Sequence, residues 1–127
     1  MKIKVTRVYV DDQNKALKFY TDILGFIKKT DITAGDYRWL TVVSPQEPNG
    51  TELLLELDDN PAAKAFKKSL YEQGIPATQF QVDDLNKEYE RIQKMGVSFK
   101  QKPTKMGPAN TAIFDDTCGN LILINQL

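Results

Sequence analysis

Val10-Asp11-Asp12-Gln13-Asn14-Lys15 returns 72 residues later as Val82-Asp83-Asp84-Leu85-Asn86-Lys87, with five of the six residues identical. Each copy follows a strand-like run and opens a helical pattern that stops at a glycine. Those glycines, Gly25 and Gly96, stand 71 residues apart. Gly50 and Gly119, 69 apart, each open the last strand-like run of their copy. A chance match of six letters would not also align helices, glycines and final strands, so the chain is read as an internal duplication. Such a repeat fixes the architecture before any other feature is weighed.

Outward from the first copy, residues 3–10 are β-branched and strand-like. Asp12 is placed to cap a helix, where its side chain accepts backbone N–H bonds and its charge suits the helix dipole. Leu17, Tyr20 and Leu24, with Ala16 and Ile23 beside them, predict one apolar helical face. Strands are expected at 26–32, 37–43 and 51–57, broken by Gly35 and by Pro45, Pro48 and Gly50. Asn60-Pro61 starts a connecting helix whose apolar face is Ala63, Phe66 and Leu70 and whose end is Gly74. The second copy then predicts a strand at 75–82, a helix striped by Leu85, Tyr89, Ile92 and Met95, and strands at 97–101, 111–114 and 121–125. A loop is expected at 103–108. The expectation is an α+β fold: two tandem βαβββ modules, 1–58 and 75–127, joined by a helix at 60–74 within one domain, 1–127. Eight strands in curled mixed sheets would form a cleft.

Composition narrows the chemistry. The chain has 127 residues, 17 Lys+Arg against 17 Asp+Glu, no histidine and a single cysteine. Zero net charge argues against a nucleic-acid partner, because phosphate binding needs a concentrated basic surface. No apolar run reaches the ~18–20 residues needed to span a bilayer, so no membrane partner is expected. MKIKVTRVYV runs straight into a strand pattern without a signal peptide's apolar segment. One Cys118 allows no internal disulfide, and a cytoplasmic location is expected. The absence of histidine removes the commonest general base and metal ligand at neutral pH.

Two βαβββ modules resemble the vicinal oxygen chelate superfamily of glyoxalase I, extradiol dioxygenases, fosfomycin resistance enzymes and bleomycin resistance protein. The resemblance is carried by Val10-Asp11-Asp12, Ala16-Leu17-Lys18-Phe19-Tyr20, Leu24-Gly25-Phe26 and Asp116-Thr117-Cys118-Gly119-Asn120-Leu121-Ile122. It implies half-barrel modules, a site on the concave face of the paired sheets, and in many members a homodimer whose cleft is shared between chains. Enzymes of the superfamily hold a divalent metal through His, Glu or Gln at four places. Carried over, these are Val5 and Ala77 in the first strands and Leu54 and Leu123 in the last. Alkyl side chains cannot coordinate a divalent cation. The expectation is therefore no metal and no cofactor, as in a metal-free member resembling bleomycin resistance protein.

Strand alternation places every second residue on one face. If Val5 faces the cleft, so do Arg7 and Tyr9; Leu54 brings Glu52 and Glu56, Ala77 brings Gln79 and Gln81, and Leu123 brings Leu121 and Asn125. Val8, Val10, Phe80 and Val82 would pack under the helices. Arg7 with Glu52 or Glu56 reads either as an ion pair, at a dimer interface, or with Arg7 anchoring a ligand's carboxylate or phosphate. Trp39, on one face with Tyr37, reads either as a ring stacking on a flat ligand or as a core or interface aromatic. Cys118, without a histidine, is not read as a nucleophile. Asp115-Asp116 and Asp58-Asp59 are expected as solvated turn residues, and Lys64, Lys67 and Lys68 as a wet helix face.

The expected ligand-binding set is thus Arg7, Tyr9, Trp39, Glu52, Glu56, Gln79, Gln81 and Asn125, on a small apolar or aromatic molecule bound or sequestered in a cleft between modules or chains. Two alternatives stand beside it. One is a metal-independent isomerase or lyase with Glu52 or Glu56 as general base, since burial can raise a glutamate toward neutrality. The other is a glyoxalase-type metalloenzyme, should the strand register differ. A regulatory or interaction module would instead bind a protein partner.

Overall fold

The β-branched run before the first Asp pair pairs with a strand nearly fifty residues away, and the second copy repeats the arrangement. The computed structural model describes all residues, Met1–Leu127. The chain forms two compact units, Met1–Lys64 and Ala65–Leu127. In the first, β1 (Val5–Val10), α1 (Gln13–Lys18), β2 (Ile27–Ala34), β3 (Tyr37–Val43) and β4 (Glu52–Leu57) build a four-stranded sheet of order β1-β4-β3-β2. α2 (Pro61–Glu72) spans the division. In the second, β5 (Thr78–Gln81), α3 (Leu85–Lys94), β6 (Phe99–Met106), β7 (Ala109–Asp115) and β8 (Leu121–Gln126) repeat it as β5-β8-β7-β6. Both sheets are mixed, with a parallel first pair, β1 with β4 and β5 with β8, and antiparallel neighbours beyond. No helix is long and apolar enough to cross a membrane.

The duplicated Asp pairs do the same work twice. The Asp12 side chain accepts from Lys15 N at 3.0 Å and that of Asp84 from Lys87 N at 3.1 Å. The helices that follow differ by one residue, which is the step from 72 to 71 in the repeat. After Lys18 the first helix widens into a π-helical turn, Phe19–Ile23, the usual way for a helix to absorb an inserted residue. The helix ends record it: Phe26 N reaches back to Tyr20 O, six residues, whereas Val97 N reaches Ile92 O, five. Gly25 (φ +87°) and Gly96 (φ +90°) turn both ends in the left-handed region that glycine enters without a Cβ clash.

The π turn also shifts the buried stripe. Ala16, Phe19 and Tyr20 are buried, while Leu17 and Leu24 are only half-buried, so the expected Leu17–Tyr20–Leu24 face is displaced by about one position. They pack with Val8, Val10, Leu40, Val42, Leu53 and Leu55 in the core of the first unit. In the second, Leu85 and Ile92 are buried, and Tyr89, Phe99 and Phe114 meet edge to face at 4.6 and 5.6 Å. Met95, expected in that stripe, is 48% exposed at the helix end. Phe66, expected on the apolar face of α2, is exposed too.

The expected loop at 103–108 is instead most of a hairpin: β6 runs to Met106, Gly107 and Pro108 turn, and β7 begins at Ala109. Pro103 is tolerated because β6 is the sheet edge and its pairing with β7 skips between Gln101 and Thr104, where no ladder N–H is missed.

Candidate functional site

Register places the expected residues. β1 and β4 pair with Val5 opposite Glu52, Arg7 opposite Leu54 and Tyr9 opposite Glu56, so all six share one face of the first sheet. Thr41 of β3 stands opposite Leu54 and joins that face, and Trp39 and Tyr37 follow it at two-residue steps. The opposite face, with Val8 and Val10, is buried as expected.

The charged groups on this face are matched. Arg7 Nη1 lies 3.1 Å from Glu56 Oε2 and donates to the Tyr9 hydroxyl at 3.3 Å, while its guanidinium sits 5.9 Å from the centre of the Tyr9 ring. The bond to Tyr9, then the charge of Glu56, hold the Arg7 pKa above its ordinary value. Glu52 takes a different partner, accepting from Thr41 Oγ1 at 2.7 Å. Of the two glutamates, Glu56 is thus the one that pairs with Arg7. Burial first, and the Glu56 charge second, push the Tyr37 phenol up. Trp39 is half-buried beside the exposed Tyr37. Within the first unit, Arg7, Tyr9, Trp39, Glu52 and Glu56 therefore share a face of aromatic rings around one ion pair.

The corresponding face of the second unit carries amides. Gln79 stands opposite Leu123 and Gln81 opposite Asn125. Asn125 Nδ2 donates to Gln79 Oε1 over a long 3.5 Å, and Gln101 Nε2 to Thr111 Oγ1 at 3.0 Å. Gln79 and Gln81 are exposed and Asn125 is half-buried.

The divalent metal that the resemblance implies does not fit these residues. Val5, Leu54, Ala77 and Leu123 carry no donor atom. Leu54 is buried in the middle of its sheet, and the carboxylate opposite Val5 is Glu52, already held by Thr41. Nowhere do three Cys, Asp or Glu side chains gather as a metal cluster would require.

Three expectations about charged residues are corrected. Lys67 is not on a wet helix face: it is 9% exposed and its Nζ donates to the Cys118 carbonyl at 2.9 Å. Asp116 is fully buried and organises the β7–β8 turn, accepting from Cys118 N (2.8 Å), Asn120 N (3.0 Å) and Asn120 Nδ2 (2.9 Å). Asp58 is buried as well, its N–H bonded to Val10 O. Asp115 accepts from the Tyr71 hydroxyl at 2.5 Å, which raises the Tyr71 pKa. Cys118 is a fully buried thiol.

Sequence reasoning missed two features. Gln13 Nε2 donates to Arg38 O (3.1 Å) and Leu55 O (2.9 Å), bridging β3 and β4 beyond their last paired residues. The signal was there: Gln13 replaces the Leu85 of the second copy, a polar residue at a duplicated position. A depression of about 380 Å³ in the second unit, lined by Tyr71, Gly96, Ser98, Asp115, Thr117 and Gly119, contains none of the expected site residues.

Comparison with known proteins agrees with this architecture. YurT, an uncharacterized protein of Bacillus subtilis (strain 168), is 56% identical over 126 residues, 99% of each chain. Among solved structures, UcmS2 matches with a TM-score of 0.85 and 32% identity over 98% of this chain and 97% of its own. TnmS3, an antibiotic binding protein from Streptomyces sp. CB03234, matches with a TM-score of 0.79 and 28% identity over 99% and 95%. The family model that matches, over residues 2–124, is that of the Glyoxalase/Bleomycin resistance protein/Dioxygenase superfamily.

Proposed function

From the premise that this chain belongs to the Glyoxalase/Bleomycin resistance protein/Dioxygenase superfamily, we propose that it binds a small, aromatic molecule without metal and without changing it chemically. The observation that carries this reading is the face of the first sheet, which Tyr9, Tyr37 and Trp39 share with the Arg7–Glu56 pair. Aromatic walls with a few placed polar groups are the usual make-up of small-molecule sites. An antibiotic binding protein among the structural relatives supports a small-molecule ligand.

Binding is favoured over isomerase or lyase chemistry because both candidate bases are engaged, Glu56 by Arg7 and Glu52 by Thr41. Gln79, Gln81 and Asn125 are proposed as further polar contacts. A single-domain chain, a homodimer and a cytoplasmic setting complete the reading, the last suiting a chain whose single thiol is buried.

The test pairs two titrations of the purified protein. Small aromatic compounds are screened by Trp39 fluorescence with and without EDTA, and zinc, nickel, manganese and ferrous iron are titrated by calorimetry. The expected outcome is saturable quenching that EDTA leaves unchanged, with the bound compound recovered intact and no stoichiometric metal. One tightly bound metal per chain, or a converted compound, would overturn the proposal.

A further inference from the structure

Resting on the reading that the first sheet's aromatic face binds a small molecule, we infer that the ligand is electrically neutral at this point and presents a hydroxyl or amide hydrogen to Glu56 Oε2. That oxygen is shut off from solvent and has no aligned hydrogen-bond donor. Arg7 Nη1 stands 3.1 Å away and supplies charge, but its hydrogen bond goes to the Tyr9 hydroxyl. A desolvated carboxylate oxygen without a donor is costly to leave so, and a ligand that fills the vacancy recovers that cost on binding.

The surroundings admit a ligand there. β3 and β4 pair only at Thr41–Leu54 and Val42–Leu53, and beyond these Gln13 bridges the strands in place of the ladder. Glu56 stands past that point. Beside it, the Arg7 side chain is 54% exposed against 20% for Glu56. A long exposed side chain adjusts its rotamer in nanoseconds or less, so Arg7 can shift enough to admit the ligand's donor beside it while its charge stays next to Glu56.

Charge selects the class. Arg7 and Glu56 cancel each other, so an anion drawn to Arg7 meets the Glu56 carboxylate at close range and is repelled. A neutral phenol or amide loses nothing to that repulsion and gains a charge-assisted bond.

Calorimetric titration at pH 7 with 2-naphthol, 2-methoxynaphthalene and 2-naphthoate decides it. 2-Naphthol is expected to bind about tenfold to a hundredfold more tightly than its methyl ether, the range for a hydrogen bond to a charged acceptor. 2-Naphthoate is expected to bind most weakly. In E56Q the advantage of the hydroxyl over the methyl ether should shrink to a few-fold. Equal binding of naphthol and its ether, or tightest binding by the naphthoate, overturns this inference and leaves the binding reading standing. Absence of binding by all three overturns both.

Discussion

The two units share one topology and one pair of capping aspartates, yet they differ in where their polar groups go. In the first, charge and aromatic rings gather on a sheet face: Arg7 pairs with Glu56 beside Tyr9, and Glu52 is held by Thr41. In the second, the matching face holds uncharged amides, and the buried charged groups sit instead at the β7–β8 turn, where Asp116 and Lys67 hold the backbone from two sides. A duplicated fold has thus kept its caps and glycines in both copies while placing its ionic groups on a sheet face in one and at a turn in the other.

The largest effect expected from breaking that contrast is at Asp116. Asp116→Ala leaves three buried donors without their acceptor, and at ~1–3 kcal/mol for each unsatisfied group a loss of about 3 kcal/mol or more should appear in urea unfolding. Glu56→Ala on the first unit's face should cost clearly less; equal losses would erase the distinction between scaffold and surface. Next comes a pair of glycines. Gly25→Ala meets no atom within 4 Å and bears only the left-handed φ of +87°, about 1–2 kcal/mol. Gly119→Ala has a comparable φ of +95° and also drives its Cβ to 2.6 Å from Lys67 Nζ, which is buried and bonded to Cys118 O. It should therefore lose more than Gly25→Ala by about 1 kcal/mol or more. Adding Lys67→Met to Gly119→Ala tests whether the clash is the cause: the double variant should lose less than the two single losses added together.

The caps, where the units agree, should give matching numbers. Asp12→Ala and Asp84→Ala each remove one bond of about 3 Å to the N–H three residues on, and each should cost ~1 kcal/mol. A difference beyond about 0.5 kcal/mol would mean that the π turn, present only in the first helix, alters how the cap is coupled to the core.

Smallest is the response to pH, and it has opposite ends in the two units. In the first, Arg38 hydrogen-bonds Asp31 from two nitrogens and holds its carboxyl below the ordinary range. A depressed acid stabilises the fold above its unfolded pKa and loses that effect as pH falls through the folded value. Asp31→Asn should therefore lower stability slightly at pH 7, by an amount that shrinks as pH falls below about 4. In the second, the bond to Asp115, with burial, raises the Tyr71 phenol. A raised tyrosine contributes fully below its unfolded pKa of about 10 and loses that contribution as pH rises through the folded value. Tyr71→Phe should lower stability slightly at neutral pH and show no further loss above about pH 10.

Much of this was legible in the letters. The repeat of Val-Asp-Asp-x-Asn-Lys predicted both βαβββ units, both caps and both helix stops, and even the one-residue step that became the π turn was visible in the glycine spacing. What that extra residue did to the buried stripe was not visible, because a helical wheel assumes 3.6 residues per turn throughout. Strand alternation named which residues share a face, but not which glutamate meets Arg7. Arg7 stands opposite Leu54, two residues from Glu52 and Glu56 alike, and the choice was made by Thr41 on a third strand. Lys67 and Asp116 were misread for a common reason. Charge in a sequence reads as solvent, and only the fold supplies the backbone carbonyls and amides that let such groups be buried.

The central claim is that the aromatic face of the first unit is the binding surface, and a two-dimensional NMR titration of labelled protein with the tightest ligand from the aromatic screen tests it most directly. The account predicts saturable shifts at Arg7, Tyr9, Trp39 and Glu56, with the Trp39 indole N–H among the largest, and little change at Ser98, Thr117 and Gly119. Shifts concentrated at those three residues, around the depression of the second unit, would contradict it.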